Sequence, residues 1–147
     1  MKITGHFALI TLLACSMHAL AAAPHIFYSD LDGGPSAGGQ ANGGAFVTIY
    51  GRGFGNSRGS STITIGGKPA AAYPIWADSK VCFQLGAASQ SGNIIVSVDG
   101  QTSNGVPFIV RSGKIHFVAA SGADHNPGTF ESPWRTVVKA VKSVEPG

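Results

Sequence analysis

Gly43-Gly44-Ala45-Phe46-Val47-Thr48-Ile49-Tyr50-Gly51-Arg52-Gly53-Phe54-Gly55 holds a run of alternating side chains between two sets of glycines. Between its glycines, Ala45, Val47 and Ile49 share one face while Phe46, Thr48 and Tyr50 share the other, the period-two pattern of a strand with a buried side. Gly51 and Gly53 flank a turn after that strand, where a side chain would clash or a positive φ is needed, and Phe54 can fold back onto the core. The same glycines could suggest a phosphate-binding loop. Such a loop opens a helix and carries a Lys-Ser/Thr pair, whereas Asn56-Ser57-Arg58-Gly59-Ser60-Ser61 and another strand follow here, so the structural turn is the better reading.

Outward from this stretch the alternation recurs. Thr62-Ile63-Thr64-Ile65 ends at Gly66-Gly67, and Val81, Phe83 and Leu85 share a face between Lys80, Cys82 and Gln84. Ile94, Val96 and Val98 alternate with Ile95, Ser97 and Asp99, after which Asp99-Gly100 offers the positive φ angles of a tight hairpin turn. The return strand is read as Val106 to Val110, and a short first strand as His25 to Tyr28. About six strands at short spacing with glycine-rich turns point to a β-sandwich. Composition agrees, because 21 Gly and 8 Pro in 147 residues favour turns over long helices. With 12% charged and 44% hydrophobic residues, the chain is neither disordered nor a coiled coil.

Three segments, in order, carry a family resemblance: residues 43–55, then Ile63-Thr64-Ile65-Gly66-Gly67-Lys68-Pro69-Ala70, then Ser103-Asn104-Gly105-Val106-Pro107-Phe108-Ile109-Val110. Together they resemble an IPT/TIG domain. The resemblance implies an all-β, immunoglobulin-like sandwich over residues 24–113. The glycine-rich insertion from Gly33 to Gly44 is longer than a compact first loop requires and leaves the register of the first strand open.

Lys2, the apolar run from Phe7 to Cys15 and the small-x-small order Ala19-Leu20-Ala21 read as a secretory signal peptide over residues 1–21. The expected location is therefore outside the cytoplasm: secreted, periplasmic or at the cell surface. The apolar core is too short for a membrane span. Leu12-Leu13-Ala14-Cys15 resembles a lipobox, but Leu13 is unusual there and the alanine-rich site downstream is better, so a lipid anchor at Cys15 is the less favoured reading. Cys82 then stands alone in the mature chain, where it reads as a packed thiol rather than a nucleophile or ligand. The net charge is +3, and the basic residues Arg52, Arg58, Lys68, Lys80 and Arg111 are scattered among Asp30, Asp32, Asp78 and Asp99, which opposes a nucleic-acid partner.

After Gly113 the pattern changes. Ile115 to Ala119 reads as a strand, Ser121 to Thr129 as a polar loop, and Ser132-Pro133 as the N-cap and first residue of a helix. Trp134, Val137, Val138 and Val141 would form its apolar stripe, opposite Arg135, Lys139 and Lys142. The residues from Phe117 to Thr129, with Pro133-Trp134-Arg135-Thr136, Lys139-Ala140 and Pro146-Gly147, resemble the start of a right-handed parallel β-helix of the pectate-lyase-like kind. In that resemblance residues 114–147 are a truncated N-terminal cap, the first coil would follow Gly147, and the chain is expected to be a fragment of a longer protein.

Candidate sites are few. Tyr73 and Trp76 are the aromatic residues suited to stacking on a sugar ring, although an aromatic in a segment crossing the edge of such a sandwich usually plugs the core. Asp124 and Asn126 are too few oxygens for Ca²⁺ and read as turn caps. His25, His116 and His125 lack metal-ligand spacing, so neither a metal nor a cofactor is expected. No position matches the catalytic groups of β-helix lyases or hydrolases, and no catalytic residue is assigned. The expected function is that of an exported, non-catalytic Ig-like module, an accessory or polysaccharide-binding part of a larger β-helix protein. Two alternatives stand beside it: the N-terminal fragment of a polysaccharide lyase or hydrolase, and a surface adhesin or scaffold spacer.

Overall fold

Two β-sheets face one another across a shared apolar core in the computed structural model, which describes residues 22–144. The leader, with Cys15 and the cleavage position, lies outside the described residues, as do residues 145–147. The four-stranded sheet has the order β1 (His25–Ser29), β3 (Phe46–Arg52), β7 (Lys80–Gln84) and β6 (Ala72–Ala77). The six-stranded sheet runs β2 (Gly33–Gly34), β10 (Val106–Val110), β8 (Gly92–Val98), β4 (Thr62–Ile65) and β5 (Lys68–Pro69), with β9 (Gln101–Thr102) also paired to β8.

The core is where the alternation places it. Val47 and Ile49 of β3, Ile63 and Ile65 of β4, Val81 and Phe83 of β7, and Ile94 and Val96 of β8 are completely buried. Burying a side chain of this size contributes about 1.5–3 kcal/mol, and the opposing sheets supply the surface. Phe54 does turn back and is also completely buried. Gly51 makes that possible, because a Cβ there would collide with the His25 carbonyl and with the tip of the Phe54 ring.

Three details of the chain path differ from the sequence reading or extend it. Asp99 and Gly100 adopt φ of 48° and 80°, the two positive angles of a type I′ hairpin turn. The return begins at Gln101–Thr102, breaks at Ser103, and resumes at Val106, which pairs with Ile94. The Ser103 hydroxyl accepts from the Val96 N–H at 3.0 Å, filling the gap in the ladder. The glycine-rich insertion carries the chain from one sheet to the other: Gly33 and Gly34 pair in parallel with Ile109 and Val110. Its 3-10 turn at Gln40–Asn42 then lies over Gln84, whose side-chain amide donates to the Gln40 carbonyl at 2.8 Å and the Gly44 carbonyl at 3.2 Å. Finally, residues 72–77 form a full edge strand, a position that tolerates the N–H missing at Pro74.

Asn104 joins the two sheets. Its side-chain oxygen accepts from the Ile26 N–H at 2.8 Å and its amide donates to the Ile26 carbonyl at 3.0 Å, so the side chain imitates a neighbouring strand.

The tail departs from expectation. Ile115 to Ala119 is not a strand; a single parallel bridge joins Val118 to Trp134. The helix α1 spans Val137–Ser143 and is capped by Thr136, whose hydroxyl accepts from the Lys139 N–H at 3.1 Å. Ser132 and Pro133 therefore do not open it. The reason lies in the backbone of Trp134, which donates to the Phe117 carbonyl and accepts from the Ala119 N–H, both at 2.9 Å. A residue extended in this bridge cannot sit in the first helical turn. Trp134 is thus separate from the valine stripe and is buried at 4% exposure inside the loop it anchors. His116 stacks on it at 4.5 Å, and the Trp134 Nε1 donates to the Asn126 carbonyl at 2.7 Å. Gly128, with φ of 80°, lies against the ring where a Cβ would come within 2.6 Å.

Candidate functional site

Tyr73 and Trp76 lie on β6, where a register shift between Ala72 and Ile75 interrupts the alternation. A regular strand would send residues three apart to opposite faces. Here both rings pack against the core and meet edge to face at 5.6 Å. Each polar atom is committed: the Tyr73 hydroxyl accepts from the Ile63 N–H at 3.1 Å, and Trp76 Nε1 donates to the Phe54 carbonyl at 2.9 Å. The Arg58 guanidinium sits 5.0 Å from the centroid of the Tyr73 ring. The pair therefore closes the edge of the sandwich, linking β6 to β4 and to the turn after β3. Tyr73 also borders a shallow cavity of about 340 Å³ with Phe46, Pro74 and Gln84.

A different aromatic group occupies the outer face of the four-stranded sheet. The register shift between Ile26 and Tyr28 leaves both Phe27 and Tyr28 outside the core, at 59% and 56% exposure. Tyr28 pairs with Tyr50 across the strands, and the two rings stack at 4.9 Å with 19° between their planes. Lys80, opposite Tyr50 on β7, holds its ammonium 5.8 Å from the Tyr50 ring centroid. Arg52 lies two residues beyond Tyr50 on the same face of β3 and is exposed. Farther along this face are Phe46, Cys82 and Ile75, with Cys82 half-buried between Thr48 and Ile75. The opposite sheet differs, presenting Thr62, Thr64, Asn93 and Ser97 outward, interrupted by Ile95 and Ile109.

This aromatic face was missed at sequence level, although two signals pointed to it. Tyr50 stands on the outward phase of β3, and Phe27-Tyr28 are adjacent aromatics that a regular strand cannot bury together. The tail residues considered for Ca²⁺ hold the loop instead. The Asp124 carboxylate accepts from the Thr136 hydroxyl at 2.8 Å and from the Thr136 and Arg135 N–H groups at 2.9 and 3.1 Å, and Asn126 donates to the Pro133 carbonyl. These bonds, the Thr136 hydroxyl foremost, hold the Asp124 carboxyl below the usual carboxylate range. Among the described residues, no three His, Cys, Asp or Glu side chains gather where they could hold a metal ion. Nor is any helix among them long and apolar enough to cross a membrane.

No curated protein matches the chain. Among solved structures, it is similar to an auxiliary nutrient binding protein from Bacteroides thetaiotaomicron, with 16% identity and a TM-score of 0.51 over 62% of this chain and 21% of that one. The chain thus spans about a fifth of that protein's length, and at such identity the likeness speaks for the fold alone. The family model of the IPT/TIG domain matches residues 35–110, which contain the strand-turn stretch at 43–55, the β4–β5 hairpin and the Asn104 clip. With two facing sheets and this match over more than half its length, the chain belongs to the IPT/TIG domain family.

Proposed function

We propose that this chain is an exported, non-catalytic Ig-like module that binds polysaccharide through the outer face of its four-stranded sheet, as an accessory part of a larger β-helix protein. One observation carries the reading: Tyr28 and Tyr50 stack in the open on a sheet face, while the core is filled without them. Aromatic faces accept the apolar faces of pyranose rings, and their hydroxyls can bond to sugar hydroxyls. The auxiliary nutrient binding protein that shares the fold is compatible with a binding role. Export is inferred from the leader, and amino-terminal sequencing of the secreted product should begin at Ala22.

Affinity electrophoresis of the mature chain through gels containing neutral and acidic polysaccharides tests the proposal. At least one polymer should retard it, and Tyr28→Ala should weaken retention by about threefold to tenfold, the scale of one aromatic contact. Equal migration in every gel would refute the binding role.

The place in a larger protein is supported by a separate observation, the exposure of Val137, Val138, Val141 and Val144 at 52–69%. A greasy stripe of this kind suits a cap over a following coil. Extending the reading frame past Gly147 discriminates the remaining readings. Coils bearing clustered Lys, Arg and carboxylates would make the parent a polysaccharide lyase or hydrolase, and plain Asn/Val ladders an adhesin or scaffold.

A further inference from the structure

The outer face of the four-stranded sheet carries charge as well as aromatic surface. Arg52 and Lys80 flank the Tyr28–Tyr50 stack, one beyond it along β3 and one beside it on β7. Among the described residues neither makes an ion pair; the salt bridge found there joins Arg111 to Asp32, at the edge of the other sheet. Two exposed carboxylates border the face from its loops, each accepting one backbone N–H, Asp30 from Thr48 at 2.8 Å and Asp78 from Gly55 at 3.0 Å, while Arg52 and Lys80 are the charges carried on the strands themselves. Neighbouring strands lie about 4.8 Å apart, and alternate residues of one strand about 6.6 Å. A ligand crossing β1, β3 and β7 therefore meets Tyr28, Tyr50 and Lys80 in successive steps, with Arg52 alongside.

From this charge complementarity we infer that the face takes an acidic polysaccharide, whose uronate carboxylates are met by Arg52 and Lys80 while sugar rings stack on Tyr28. The inference rests on the polysaccharide-binding reading of the same face and names its substrate class. Arg52 offers a planar fork of donors that fits a carboxylate, and Lys80 a compact charge. Both are solvent-accessible, so their attraction is screened by salt.

The test uses the mature chain with polygalacturonate and alginate, each as the free salt and as its neutral methyl ester, and calorimetry as the readout. The free polyuronates should bind about tenfold or more tightly than their esters at low salt, and the difference should shrink as salt rises. Arg52→Gln and Lys80→Gln should each reduce that difference by about threefold with an unchanged urea midpoint, whereas Tyr28→Ala should weaken both forms alike. Equal affinity for salt and ester overturns the acidic assignment and leaves the aromatic reading in place. No binding to either form, with retention by a neutral glucan, overturns it as well. Absence of binding to every polysaccharide overturns both readings, and so does partition onto anionic lipid vesicles in their stead.

Discussion

The sandwich and the tail of this chain solve the same problem differently. In the sandwich, apolar residues from distant segments meet across two sheets, and those pointing inward lose essentially all contact with water. In the tail, Trp134 is enclosed by its own loop, and the helix after it turns valines outward at 64–69% exposure for Val137, Val138 and Val141. An apolar stripe is a demand for a partner. Strands satisfied that demand within the fold because a second sheet faces them, and the seven-residue helix, which meets no such surface among the described residues, did not.

The largest test of this contrast is Phe54→Ala, which should cost about 3–5 kcal/mol and lower the urea midpoint of the sandwich. An unchanged midpoint would break the claim that the turned-back ring belongs to the core. Its counterpart, Trp134→Ala, should abolish amide protection through residues 117–136 while leaving the sandwich midpoint in place. Loss of both together would show the two regions to be one cooperative unit.

Asn104→Ala comes next, at about 1–3 kcal/mol, since it leaves the Ile26 N–H and carbonyl without their partners. Hydrogen exchange at Ile26 should accelerate more than exchange within β3. Uniform acceleration would show that the clip acts globally instead of pinning the edge strand.

In the tail, Thr136→Ala removes the cap of α1 and should destabilise the helix by about 0.5–2 kcal/mol. Acid should act on the same joint. Because the Asp124 carboxyl titrates below its ordinary value in the fold, its stabilisation is complete above the unfolded value, about pH 4, and is lost as pH falls through the lower folded value. Amide protection near Arg135 and Thr136 should fade in that window, and Asp124→Asn should remove the pH dependence. The smallest effect belongs to Val138→Ser, which should change the stability of the monomer by no more than about 0.5 kcal/mol. A larger loss would mean that the valine stripe is covered within this chain.

Period-two alternation at 45–50, 62–65, 81–85 and 94–98 determined the strands and most of the core, because facing inward or outward is a property of adjacent residues on an extended backbone. The Asp99-Gly100 turn was equally local. Other features depend on partners far away in sequence and took shape only in the folded chain. Register shifts at Ile26–Tyr28 and Ala72–Ile75 turned Tyr28 outward and brought Tyr73 and Trp76 onto one side, and a shift appears only when a strand is laid against its neighbour. Asn104 reads as a loop residue until Ile26 is beside it. Trp134 fits a helical stripe by spacing, yet hydrogen bonds to Phe117 and Ala119 hold it extended and delay the helix to Val137. Side-chain periodicity records which face is buried; backbone hydrogen bonds between distant segments choose where each element starts and which aromatic rings remain in the open.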